Sequence, residues 1–238
     1  MLKINHFTKV YKGGKKAVDN LSLHVEAGDI YGFIGHNGAG KTTTIRAIVG
    51  VMDFEDGDIY INGKSIKKNA IDCKRVTAFI PDNPDVYEHL TGIQYLNFIG
   101  DIFGVSAKDR ETRIRKYGDV FEMTANFGDL ISSYSHGMKQ KIALISALIH
   151  EPKLLVLDEP FVGLDPLAAL KLKRIMHELC EHGSAIFFST HVLDVAEKLC
   201  NKVAIINEGK LVASGTMDEI KGDSSLEEVF MEVVEHEE

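Results

Sequence analysis

Eight consecutive residues carry the clearest chemistry in this chain: Gly35-His36-Asn37-Gly38-Ala39-Gly40-Lys41-Thr42, followed by Thr43. The spacing is GxxxxGK[ST]. Glycines let backbone N–H groups turn inward around phosphate oxygens, and a helix starting at Lys41 adds its positive N-terminal end. The Lys41 ammonium supplies a charge for the β- and γ-phosphates, and the Thr42 hydroxyl is a ligand for Mg²⁺. A second run, Leu154 to Leu157 followed by Asp158 and Glu159, has the complementary chemistry. A hydrophobic strand there ends in two adjacent carboxylates that project differently because side chains alternate. Asp158 is suited to reach Mg²⁺ through water, and Glu159 to polarise a water in line with the γ-phosphate. Together the two runs point to nucleotide binding with Mg²⁺ and a water placed at the γ-phosphate.

Those groups need strands and helices to hold them. Ile30 to Ile34, Gly57 to Asn62, Val76 to Ile80, Leu154 to Leu157, Ala185 to Ser189, Val203 to Ile206 and Lys210 to Ala213 read as strands. Asn62-Gly63 is a hairpin signal. Lys41 to Val49 reads as a helix. Thr91 and Gln94 have capping-box spacing ahead of Ile93, Leu96, Phe98, Ile99 and Phe103, so Thr91 to Val105 is expected to be helical. Ser106 to Tyr117 is a charged helix candidate, and Ile142, Ile145 and Ile149 recur at helical period after Met138. Strands separated by helices predict an α/β fold with a mainly parallel sheet. Residues 83–150 read as a helical insert within a core of 1–82 and 151–215, and 216–238 as a C-terminal helical tail, all in one domain of 1–238.

Composition narrows the classes further. The chain has 238 residues, 45% hydrophobic and 26% charged, which is ordinary for a globular protein. Its formal net charge of −8 disfavours a protein that coats DNA or RNA. No stretch approaches the ~18–20 apolar residues of a membrane span, and MLKINHFTKV has no signal-peptide core. The expected location is therefore the cytoplasm or the inner face of a membrane. Cys73, Cys180 and Cys200 lack CxxC spacing and read as reduced, buried thiols.

Further landmarks occur in a fixed order, and with them the sequence resembles the ABC ATPase family across nearly its whole length. Ser135-His136-Gly137-Met138-Lys139-Gln140 resembles the signature motif, Leu164-Asp165-Pro166 the D-loop, Ser189-Thr190-His191 the switch histidine, and Tyr11 the aromatic that stacks on adenine. Ser135 is also a good N-cap for a helix whose positive end could meet a phosphate on another molecule. Two departures stand out. Asp82 occupies a position where the family often has Gln. It is shorter and charged, which disfavours direct Mg²⁺ coordination and leaves contact through water. His136 replaces the first glycine of the usual signature pair.

The resemblance implies a P-loop ATPase core with a mainly parallel sheet, an N-terminal antiparallel β portion and an inserted helical subdomain. It implies a head-to-tail homodimer, or a heterodimer with a close relative, that sandwiches two ATP molecules. Each site would join the phosphate loop of one copy to Ser135, Gly137 and Asp165 of the other, with His191 orienting Glu159. The dimer would drive a separate integral membrane permease at the inner face of the cell membrane, with no nucleic-acid partner. Tyr87, Tyr95, Phe98 and Phe103 are candidate docking aromatics. The runs Thr42 to Arg46, Tyr134 to Lys141 and Leu226 to Phe230 resemble bacterial drug- and antibiotic-type exporters. The alternative is a soluble ABC ATPase of DNA maintenance, translation or cluster assembly. Members of the first kind carry coiled-coil insertions, but no heptad array lies between Lys41 and Ser135.

Overall fold

A computed structural model describes residues 1–235; the expectation of a helical tail at 236–238 lies outside the described residues. The chain begins β1 (Leu2–Val10), β2 (Lys16–Val25), β3 (Ile30–Ile34), α1 (Lys41–Ile48), β4 (Asp56–Ile61) and β5 (Lys64–Ser65). It continues through α2 (Ala70–Arg75), β6 (Thr77–Ile80), α3 (Gly92–Ile102), α4 (Ala107–Val120) and α5 (His136–Leu148). Then come β7 (Leu154–Asp158), α6 (Pro166–Glu181), β8 (Ala185–Thr190), α7 (Leu193–Leu199), β9 (Lys202–Asn207), β10 (Lys210–Thr216), α8 (Met217–Lys221) and α9 (Leu226–Glu235). Among the described residues, no helix is long and apolar enough to cross a membrane.

The strands form two sheets. β2-β1-β4-β5 is antiparallel, and β10-β9-β3-β8-β7-β6 is parallel except for β10 at its edge. The central strands β3, β7 and β8 are buried at every position, and apolar up to their carboxyl ends, because both sheet faces are covered. Alternation divides their side chains between two cores. Tyr31, Phe33, Val156 and Phe187 pack toward the antiparallel sheet and α1, whereas Ile30, Ile34, Leu157 and Phe188 pack toward α5 and α6. Phe33, Phe187 and Phe188 are fully buried, and each contributes about 1.5–3 kcal/mol by leaving water.

Parallel pairing aligns the carboxyl ends of three strands. Ile34 lies opposite Thr190, and Asp158 opposite Ser189. The phosphate-loop turn, the two carboxylates and His191 therefore leave the sheet along one edge, where ligands bind in open α/β sheets.

Local signals fix the helix starts. Thr91 and Gln94 make the reciprocal capping box, Ser106 caps α4 by accepting from Asp109 N, and Ser135 caps α5 by accepting from Met138 N. Asp165 accepts from Ala168 N, with Pro166 in the first helical position of α6. Cys73 and Cys200 are buried, but Cys180 is only half-buried because it sits at the C-terminal end of α6. Burial pushes the Cys180 thiol up to about 11 and that of Cys200 higher still.

His150, just past α5, stacks on Phe103 with ring centroids 3.7 Å apart. Both ring nitrogens are buried, approaching backbone groups of Thr77 and Ser146 without a well-formed hydrogen bond. Desolvation lowers its pKa to about 4, against about 6.5 when unfolded. The native state therefore binds fewer protons than the unfolded state between those values. The neutral imidazole's stability contribution is complete above pH 6.5 and is lost as pH falls toward 4. We predict that wild type loses about 2–3 kcal/mol more stability than His150→Phe between pH 7 and pH 4.5. Urea unfolding at both pH values measures this; equal losses would mean that His150 ionises freely in the fold.

Candidate active site

The turn after β3 is a loop wrapped round a lysine. Gly40 caps α1 with φ +108°, and a Cβ there would come within 2.6 Å of the Ala17 carbonyl. Only glycine fits that approach and that conformation. No side chain caps α1, and its first turn carries no acidic residue, so the helix start remains a positive end for an anion. Lys41 is 6% exposed and donates to the carbonyls of Gly35 at 2.6 Å and His36 at 3.2 Å. Desolvation lowers its pKa, opposed by the nearby charges of Glu159 and Asp158. Its ammonium lies 3.7 Å from Glu159 Oε1.

The carboxylates face the same space by different routes. Asp158 Oδ2 accepts from the Thr42 hydroxyl at 2.9 Å, and Asp158 Oδ1 from the Ser189 hydroxyl at 2.5 Å. Glu159 has φ +49°, in the left-handed region that a non-glycine residue seldom adopts. Its N–H donates toward Ser189, whose backbone and hydroxyl oxygens are each 3.2 Å away. Its carboxylate pairs with His191 Nδ1 at 2.9 Å. The Glu159 side chain is 13% exposed and that of His191 is 49% exposed, so the pair stands at the mouth of the cleft.

The cleft has a volume of about 330 Å³. Of the residues named from sequence, Tyr11, Asn37, Gly38, Gly40, Lys41, Thr42, Thr43, Asp82, Asp158 and Glu159 line it. Tyr11 Oη is 3.2 Å from Thr43 Oγ1. The rest of the expected loop set stands behind. Gly35 faces Lys41 through its carbonyl, His36 turns away to Asn207 Oδ1 at 2.8 Å, and Ala39 is wholly buried in the core beneath the loop. Ser135, Gly137 and Asp165 do not line this cleft: Ser135 and Gly137 sit at the start of α5 and Asp165 at the start of α6.

Three contributors escaped the sequence reading. Ser189 ties Asp158 to Glu159, which only the β7–β8 register reveals. Lys15 joins Tyr11 at the cleft; a lysine-rich turn beside an aromatic was the available signal. Lys141 holds Asp165 Oδ2 at 2.7 Å.

A family model described as ABC transporter matches residues 18–162. The chain belongs to the ABC transporter ATP-binding family. It is 36% identical over 219 residues to the ABC-type transporter ATP-binding protein EcsA of Bacillus subtilis, covering 90% of this chain and 89% of that protein. It is 38% identical over 222 residues to the bacitracin transport ATP-binding protein BcrA of Bacillus licheniformis, covering 93% of this chain and 71% of that one. A solved ATP-binding subunit of an ABC transporter superposes with a TM-score of 0.94 at 34% identity, over 98% of this chain and 99% of the other. The ABC ATPase fold expected from the sequence motifs is therefore the fold present, and the chain is an ATP-hydrolysing transporter subunit.

Ser189→Ala should reduce ATP turnover about tenfold while leaving Mg²⁺-free ATP affinity within about twofold. It strips the hydroxyl partner from Asp158 Oδ1 and leaves the Glu159 N–H only the residue-189 carbonyl, and a buried polar group left unpaired costs about 1–3 kcal/mol. Phosphate release and titration calorimetry read the two quantities; a turnover equal to wild type would remove Ser189 from the site's support.

Proposed function

We propose that Glu159 is the general base of ATP hydrolysis and that the complete site forms between two copies of the chain arranged head to tail. The observation carrying this reading is the convergence of Lys41, the Thr42–Asp158 pair and the Glu159–His191 pair on one cleft. Lys41 neutralises the β- and γ-phosphates and Tyr11 stacks on the base. Glu159 accepts the proton of an attacking water, with His191 fixing the orientation of its carboxylate. The hard oxygen donors of Thr42 and Asp158, with Asp82 facing the same cleft, suit Mg²⁺. When bound, Mg²⁺ would neutralise charge on the phosphates.

Ser135 and Gly137 stand outside the cleft on an exposed helix start, which supports their meeting the nucleotide of the partner copy. Asp165 would face that copy too. The dimer would drive a separate membrane permease from the inner face of the membrane. Tyr87 and Phe98 are exposed and in edge contact at 5.5 Å, beside a groove lined by Val51, Phe79, Ile99 and Phe103. This apolar surface supports docking there. Tyr95, largely buried on α3, and Phe103, stacked on His150, line the same groove. Likeness to a protein named for bacitracin transport supports export as the direction.

Glu159→Gln should bind ATP normally and lose about 10²–10⁴ in hydrolysis rate. Turnover close to wild type would show that another group is the base. The shared site is tested by mixing Lys41→Ala with Ser135→Ala after subunit exchange. Each mutant alone damages both sites of its dimer, whereas a mixed dimer carries both defects in one site and leaves the other intact. Random mixing makes half of the dimers mixed, so independent sites should restore about a quarter of wild-type activity. Neither rescue nor ATP-dependent pairing by sedimentation would sink the head-to-tail arrangement.

A further inference from the structure

The loop that follows Glu159 is held by the first turns of α5, although the two are separated in sequence. Gln140 is 2% exposed, and its Nε2 donates to the Pro160 carbonyl at 3.4 Å. Its Oε1 is buried with no hydrogen-bond partner among the described residues and lies against Gly163. Gly163 has φ +81°, and a Cβ there would come within 2.8 Å of that oxygen and 3.0 Å of the His136 ring. A Cβ on Gly137 would in turn lie 3.5 Å from the Gly163 carbonyl. Lys141 then closes the segment by donating to Asp165 Oδ2 at 2.7 Å, which holds the Asp165 carboxyl below the usual carboxylate range. Farther along, Lys171 of α6 pairs with Glu122 at the end of α4 at 2.6 Å.

A buried amide oxygen without a partner is costly, and a glycine in the left-handed region loses much chain entropy on folding. Both are kept where they bring α5 into contact with the loop. The same helix begins at Ser135, and the loop runs from Glu159 to Asp165.

From this juxtaposition we infer that Gln140 and Lys141 are positioning residues. They lock the loop after Glu159 to the start of α5, so that Ser135 and Asp165 present themselves to the partner copy as one block while Glu159 keeps its left-handed backbone. Gln140 sets the height of the loop through Pro160 and Gly163, and Lys141 sets its far end through Asp165. His136, at a position where the family usually has glycine, fills the space over Gly163 and tightens the same contact. A displacement of α5 therefore carries the far end of the loop with it, and the general base feels the movement through the chain. The inference rests on the proposed roles of Glu159 and Ser135.

The test uses the full-length chain and the variants Lys141→Met, Lys141→Arg and Gln140→Leu, with Glu159→Gln beside them. Steady-state phosphate release gives kcat, and calorimetry in Mg²⁺-free buffer gives the ATP Kd of the isolated subunit. Positioning predicts that Lys141→Met and Gln140→Leu each lower kcat about tenfold with Kd within about twofold, and that Lys141→Arg retains most of the wild-type kcat. The phosphate-loop cleft touches neither side chain, so a general loss of structure would move Kd as well. The inference is overturned if kcat of Lys141→Met stays within about twofold of wild type, if Kd weakens in proportion to kcat, or if Arg rescues nothing. Glu159→Gln separates the two levels. An inactive Glu159→Gln with a fully active Lys141→Met removes only the lock, whereas an active Glu159→Gln removes the assignment of the base itself.

Discussion

The Lys41 ammonium is held almost wholly out of water, and the rest of the cleft is arranged round that fact. A buried cation is stable only if other charges and dipoles replace its hydration. Here the replacements are two loop carbonyls and the fields of Glu159 and Asp158. The carbonyls come from the turn after β3 and the carboxylates from the end of β7, so the charge can be buried only where those strand ends lie side by side. A nucleotide triphosphate offers the same ammonium a stronger anion, which is why a costly arrangement in the free protein is a prepared one for the ligand.

That preparation extends outward through short hydrogen bonds. Ser189 joins β8 to the Asp158 carboxylate and to the Glu159 backbone N–H, and His191, two residues later, meets the Glu159 carboxylate from the solvent side. Asp158 is pinned at both oxygens, by Thr42 and by Ser189, and is therefore fixed. Glu159 is held at its backbone in a disfavoured conformation and at its carboxylate by the exposed His191 and the buried Lys41. Strain of this kind persists where the surroundings over-determine it.

The helical region between β6 and β7 is joined to this edge through α5. Its C-terminal half is core, with Ile142, Ile145 and Leu148 fully buried, while its first turn is exposed at Ser135 and grips the 160–165 loop. One helix thus links the face proposed for the permease, the surface proposed for the second copy and the loop that follows the base. Rigid elements with discrete contacts are what allow a movement at one surface to be felt at another.

Much of this was legible in the sequence because it depends on neighbours along the chain. The phosphate loop is a local turn whose glycines and following helix are specified within eight residues. The caps at Thr91, Ser106, Ser135 and Asp165 are three-residue contacts, and the buried strands announce themselves as apolar runs. Ala39 matched the motif by position, but that its methyl group packs into the core beneath the loop was not legible, since spacing does not say which side of a loop a side chain takes. Ser189 under Asp158, Gln140 under Gly163 and Lys141 against Asp165 were decided only by the tertiary structure. Strand register and helix packing bring those partners together from distant parts of the chain, and the identity of one side chain carries no information about which carbonyl or carboxylate the fold will set beside it.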